Sequence, residues 1–196
     1  MASLDLPSFA VPGSMTWAFE DAGFTQSGAQ FDDYVPRKGG RFRARFTFGP
    51  YVPEDGRIMV ARLVGGKQSG LKVKVPLLHD QGLPGNPRVN FSINAPGRTM
   101  DLENFTPGYE VKEGFFLSFV VDGVNYLHTI ATGGIVPGNG QLTIELNELL
   151  RTQVPDNTLV NFVDPEIEGL VIGDEVAWSV SVNRLFPIEF TIKERA

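Results

Sequence analysis

The side chains that most often do chemistry are sparse in this chain. His79 and His128 are its only histidines and it has no cysteine, so neither a thiolate nucleophile nor a Cys/His metal cage is available. No G-x-S-x-G elbow, H-E-x-x-H pair or calcium-loop spacing occurs in it. Gly65-Gly66-Lys67-Gln68 has the outline of a phosphate loop. However, Gln68 stands where magnesium needs Ser or Thr, and no glycine stands five residues before Gly66. Asp32-Asp33 and Glu166/Glu168 could pair as glycosidase carboxylates, but spaced acids are common in acidic chains. The expectation is a protein that is not an enzyme, with no catalytic residue, cofactor or metal.

A different chemistry is suggested by Gly39-Gly40-Arg41-Phe42-Arg43-Ala44-Arg45-Phe46-Thr47-Phe48. Arginines neutralise phosphates and exposed rings stack on bases, so a nucleic-acid surface would need both on one face. Alternation with period two separates them: Phe42, Ala44, Phe46 and Phe48 fall on one side, Arg41, Arg43, Arg45 and Thr47 on the other. The rings then belong to a core, and the arginines to solvent or an interface. A net charge of −6 also disfavours a polyanionic partner. Sequence-specific nucleic-acid binding is not expected.

The elements that must position these residues are mostly strands. Pro53-Glu54-Asp55 marks a helix start and Gly65-Gly66-Lys67 its stop, giving a short helix after the first strand. Leu71 to Leu77 alternates again, and residues 79 to 87, rich in Gly and Pro, read as a linker or domain crossing. Asp122-Gly123 between two β-rich runs is a strong hairpin signal. Strands are also expected at residues 89–94, 141–146 and 158–163, enough with the hairpin for a small barrel. Two further strands, 176–182 and 187–192, follow it and are expected to return to the front sheet, which makes the barrel an insertion.

The composition agrees. An apolar fraction of 42% in 196 residues supports real cores, and 22 Gly with 14 Pro implies many short elements joined by turns. No apolar run is long enough to span a bilayer, and Met1 to Pro7 lack the pattern of a secretory signal. The sequons at Asn90 and Asn104 therefore carry no weight, and assembly in cytoplasm with no membrane partner is expected. Charge is uneven: residues 36 to 75 hold ten basic residues against Glu54 and Asp55, while the rest holds seven against 21 acidic ones. Such bipolarity can pair one surface of a molecule with the opposite surface of a neighbour.

The order of features resembles the distal tail proteins (Dit) of long-tailed bacteriophages. The resemblance rests on Trp17, Gly39-Gly40-Arg41-Phe42, Phe48-Gly49-Pro50, the Pro53 helix and Val75-Pro76-Leu77. It continues in Val111 to Leu117, Leu127-His128, Leu149-Leu150-Arg151, Trp178 and Ile188-Glu189-Phe190. It departs from that family at Gly56, which weakens the helix, and no large module follows Ala196.

The resemblance implies a mainly β protein with a tube-like β-sandwich and one short helix, residues 1–84 and 168–196. A small OB- or galectin-like β-barrel, residues 85–167, would be inserted in it. It further implies a structural hub of the phage tail tip, located in the virion and assembled in the host cytoplasm. Six copies would form a ring that joins the tail tube protein to tip hub or fibre proteins. Arg41, Arg43 and Arg45 then become candidates for the ring interface or its channel. The other reading is a saccharide-binding, host-recognition module, with Phe105, Tyr109 and Tyr126 as candidate stacking platforms on the barrel.

Overall fold

The computed structural model describes residues 3–28, 31–77, 79–173 and 186–195. In chain order it begins with β1 (Leu4–Asp5), β2 (Pro12–Glu20), the hairpin β3 (Phe24–Ser27) and β4 (Asp32–Val35), β5 (Arg41–Tyr51), α1 (Pro53–Ser69) and β6 (Leu71–Lys74). Next come β7 (Gly85–Val89), β8 (Thr99–Phe105), β9 (Glu110–Val111), β10 (Phe116–Val121) and β11 (Val124–Thr132). β12 (Gly134–Ile135), β13 (Leu142–Leu146), β14 (Val160–Asn161), β15 (Glu166–Ile172) and β16 (Phe186–Glu194) complete the described elements. The expected strand 176–182 and its Trp178 lie outside the described residues.

The fold is mainly β, and contacts divide it into two compact units. The first comprises Met1–Glu20, Arg41–Pro76 and Ile167–Arg195, the second Asp21–Gly40 and Leu77–Glu166. The second unit therefore begins at Leu77 rather than at residue 85, and it also takes in the β3–β4 hairpin.

The first unit is a six-stranded sheet in the order β1-β6-β15-β16-β5-β2. β15 and β16 stand between β6 and β5, so strands from both ends of the chain share one sheet. Alternation does what the sequence implies in β5, where Phe42, Ala44, Phe46 and Phe48 are buried while Arg43, Arg45 and Thr47 are exposed. Ile188, Phe190 and Ile192 of β16 join them, with the Phe48 and Phe190 rings stacked at 5.5 Å. Met59 and Leu63 turn inward from α1. Burying each such side chain contributes about 1.5–3 kcal/mol.

α1 is longer than its glycines suggest. It runs through Gly65-Gly66 to Ser69, and Gly70, at φ 96°, donates its N–H back to Gly66 as the cap. The two glycines are there for proximity: a Cβ on Gly66 would lie 3.1 Å from Leu71 Cβ, and one on Gly65 would lie 2.7 Å from Leu4 Cδ1. The pair seen in sequence as a helix stop is the face on which the helix approaches β1 and β6.

The second unit is built on a six-stranded sheet, β14-β10-β11-β13-β8-β7, that curls until its edges meet. An antiparallel bridge between Arg88 and Leu159, with Val89 N–H donating to Thr158 O at 2.9 Å, brings β7 beside the β14 end and nearly closes a barrel. The β10–β11 hairpin turns on Asp122 (φ 51°) and Gly123 (φ 76°), both left-handed as its two-residue turn requires. Its core gathers Met100, Leu102, Phe105, Leu117, Phe119, Ile130, Ile144, Leu146 and Phe162.

The segment read as a linker is part of this barrel. Gln81 is buried, and its carboxamide donates to Phe116 O (2.8 Å) and Phe162 O (2.6 Å) while accepting from Phe116 N–H (2.7 Å). Where β14 stops, a side chain continues the ladder.

Candidate interaction surface

The arginine stripe is set by β5 and its two neighbours. Register places Thr16, Ala18 and Glu20 of β2 opposite Arg45, Arg43 and Arg41, and Thr191 and Lys193 of β16 opposite Arg45 and Arg43 on the other side. Lys193 and Arg43 would repel as direct neighbours, but Glu20 bridges them: Lys193 Nζ hydrogen-bonds its carboxylate and Arg43 Nη1 lies 3.7 Å away. The Lys193 hydrogen bond, helped by the charges of Arg43 and Arg41, holds the Glu20 carboxyl below its usual range. Arg45 pairs with Glu189. Among the described residues Arg41 has no ion-pair partner. The stripe is thus a mixed-charge face, with its charges largely matched within the sheet.

The three sugar-contact candidates fare differently. Phe105 is 3% exposed and lies in the barrel core against Phe162, which removes it as a stacking platform. Tyr109 is half-buried and stacked on Phe105, and its hydroxyl donates to Gln81 O at 2.5 Å. Burial, with the Asp80 charge, pushes that phenol up to about 12. Tyr126 is half-buried between Phe119 and the Arg151 guanidinium, which sits 5.4 Å over its ring. The structure brings none of the three together into an open face.

The histidines do not form a site. His79 is exposed, whereas His128 is 1% exposed, stacked on Phe119, with Nδ1 3.5 Å from Glu148 Oε2. Thr129 anchors the other side of that carboxylate, its N–H donating to Oε2 at 3.0 Å and its hydroxyl to Oε1 at 2.6 Å. Burial pushes Glu148 up, but the contacts from His128 and Thr129 outweigh it and leave the carboxyl below its usual range. Of the paired acids, Glu168 is buried and takes a hydrogen bond from the Ser3 hydroxyl, while Asp32 and Asp33 are exposed on β4. Among the described residues no group of three or more His, Asp or Glu could hold a metal ion.

What sequence reasoning passed over is the β3–β4 hairpin. Every residue of β3 is exposed, and of β4 only Val35 is partly covered. Phe24, Phe31 and Tyr34 are 40%, 74% and 48% exposed, so this short ribbon shows three aromatic rings to solvent. Its geometry is fixed from within: the Arg37 guanidinium lies 4.3 Å over Phe24, and the Tyr34 hydroxyl donates to the Asp21 carboxylate. That bond raises the Tyr34 pKa and, with a second from Gly23 N–H, lowers that of Asp21. Four-residue strands with mixed polar content carry little periodic signal; only the density of rings was available to mark them. No family model and no curated protein matches the chain.

Proposed function

We propose that this protein is a non-enzymatic structural subunit of a bacteriophage tail tip. In this reading it is a distal-tail-type hub whose copies close into a homo-hexameric ring between the tail tube and the tip complex or fibres. The observation that carries the reading is the β3–β4 hairpin. A two-stranded ribbon alone is marginal in water, and its rings are exposed, with Phe24 and Tyr34 on opposite faces by the register. Phe24 and Phe31 gain cover when the hairpin lies on a neighbouring copy, and burying each of these rings supplies about 1.5–3 kcal/mol. The order of sequence features shared with the distal tail proteins supplies the identity of the assembly. A contact between a projecting ribbon and a different patch on the next copy is heterologous, the kind that closes rings.

Light scattering of the purified chain, followed by negative-stain imaging of its main peak, tests this reading. A ring of six is the expected result, and Phe24→Ser with Phe31→Ser is expected to return it to monomers of unchanged fold. A monomer at every concentration, both alone and mixed with tail tubes, would sink the proposal.

A further inference from the structure

Helix α1 is apolar on the side it turns to solvent. Gly56, Met59, Leu63 and Gly66 are its buried positions, and helical spacing sends Ile58, Ala61 and Val64 to the opposite side. All three are exposed, Ile58 at 42% and Val64 at 46%. A helix resting on one sheet carries polar or charged residues on its outer side, whereas a helix that is apolar all round is buried all round. Ile and Val also lower helix propensity through their stiff, branched side chains. Within one chain, burial offsets neither effect at Ile58 or Val64.

The β3–β4 hairpin has a face that matches. Register pairs Phe24 with Val35 and Gln26 with Asp33, so these four share one side, and alternation carried back from β4 adds Phe31 to it. Arg37 lies over the Phe24 ring at the open end. From open end to turn, that side presents Arg37, Phe24, Asp33 and Phe31, which is cation, ring, anion, ring. From its N-terminal end, α1 presents Glu54, Ile58, Arg62 and Val64 along its exposed side, which is anion, aliphatic, cation, aliphatic. Arg57, also exposed there, bends back to donate to Pro53 O at 3.3 Å. None of Arg37, Asp33, Glu54 and Arg62 forms an ion pair with a described residue.

Given the ring assembly proposed above, on which this rests, we propose that the exposed side of α1 receives the β3–β4 hairpin of a second copy. When the two elements lie side by side in that order, each charge meets its opposite and each ring meets an aliphatic side chain. Charge then selects the partner and the register, while the apolar residues supply the burial. Helix and hairpin are different surfaces, so every copy offers one to each neighbour, as ring closure demands. A polyanion would be repelled by Glu54 and would leave Ile58 and Val64 in water.

Two variants of the full chain test the contact. Ile58→Ser with Val64→Ser removes the helix face and keeps the hairpin; Phe24→Ser with Phe31→Ser does the reverse. Light scattering should find each alone monomeric, with the circular dichroism of the parent. Mixed, they should form a heterodimer and stop there, because only one intact interface remains. The chain has no cysteine, so Gln26→Cys in the helix variant and Ala61→Cys in the hairpin variant let a short bismaleimide trap that pair. Asn139→Cys, on the exposed surface of the barrel, should not be trapped in place of Ala61→Cys. If the helix serines prevent folding, Ala61→Glu takes their place and puts a charge in the same face. A ring undisturbed by the helix changes, or a mixture without the trapped heterodimer, overturns this contact and leaves the ring itself standing. A parent that is monomeric both alone and with tail tubes removes both.

Discussion

Glu148 is the residue whose protonation matters most for the barrel. It is 8% exposed and held as a carboxylate by His128 and Thr129 in spite of its burial. A folded-state pKa below the ordinary 4.5 means that the unfolded chain binds the proton more tightly. The stabilisation is therefore complete above that ordinary value and is lost as pH falls through the lower, folded one. Thermal unfolding from neutral pH down to pH 3 should show the parent losing stability below about pH 4.5. Glu148→Gln should be less stable at neutral pH and show a shallower acid loss; an identical acid slope in both would refute this account. At the same scale, unbroken alternation of β8 through Met100 and Leu102 would place 104 inside and 105 out. Asn104 adopts φ 64°, the phase resets, and Phe105 turns into the core. Sequence gives the asparagine but not its dihedral.

At the scale of elements, legibility followed locality. Strand β5 and the Asp122-Gly123 hairpin were readable because alternation and turn chemistry act over a few residues. The end of α1 was not, because Gly65-Gly66 answers to Leu4 and Leu71, partners that only the tertiary fold brings near. The two glycines should respond differently to alanine. Each gains up to about 1 kcal/mol in helix propensity. At Gly66 the new methyl meets the Cβ of Leu71, a fully buried strand residue that cannot move without β6. Gly66→Ala should therefore be destabilising, by about 1–3 kcal/mol before the propensity gain. At Gly65 the obstacle is the far end of Leu4, which can rotate away, so Gly65→Ala should be neutral or slightly stabilising. Denaturant midpoints of the two variants decide the matter, and equal shifts would remove the close-approach argument. The linker expected at 79–87 was misread for the same reason, since nothing local tells that Gln81 continues a ladder between Phe116 and Phe162.

For the molecule as a whole, the division of charge along the chain is less decisive than it looks in sequence. Glu20 and Glu189 compensate Arg43, Arg45 and Lys193 on one face of the first unit's sheet. Exposed pairs of this kind are screened by solvent and contribute little, too little to close a ring. Arg41→Glu with Arg45→Glu should accordingly weaken assembly less than loss of the hairpin aromatics, and the effect of the arginine changes should shrink as salt rises. Sedimentation of both double variants at low and high salt measures this, and dissociation caused only by the arginine changes would return the main role to charge. The lacing of the second unit has another consequence. Gln81 and Glu166, where the chain joins and leaves the barrel, are both tied to β10: Gln81 through Phe116, and Glu166 through its N–H to Ser118 Oγ at 3.1 Å. Those two anchor points are only two residues apart on one strand. By this geometry the barrel has the form of a cassette, entered and left at neighbouring joints on one strand.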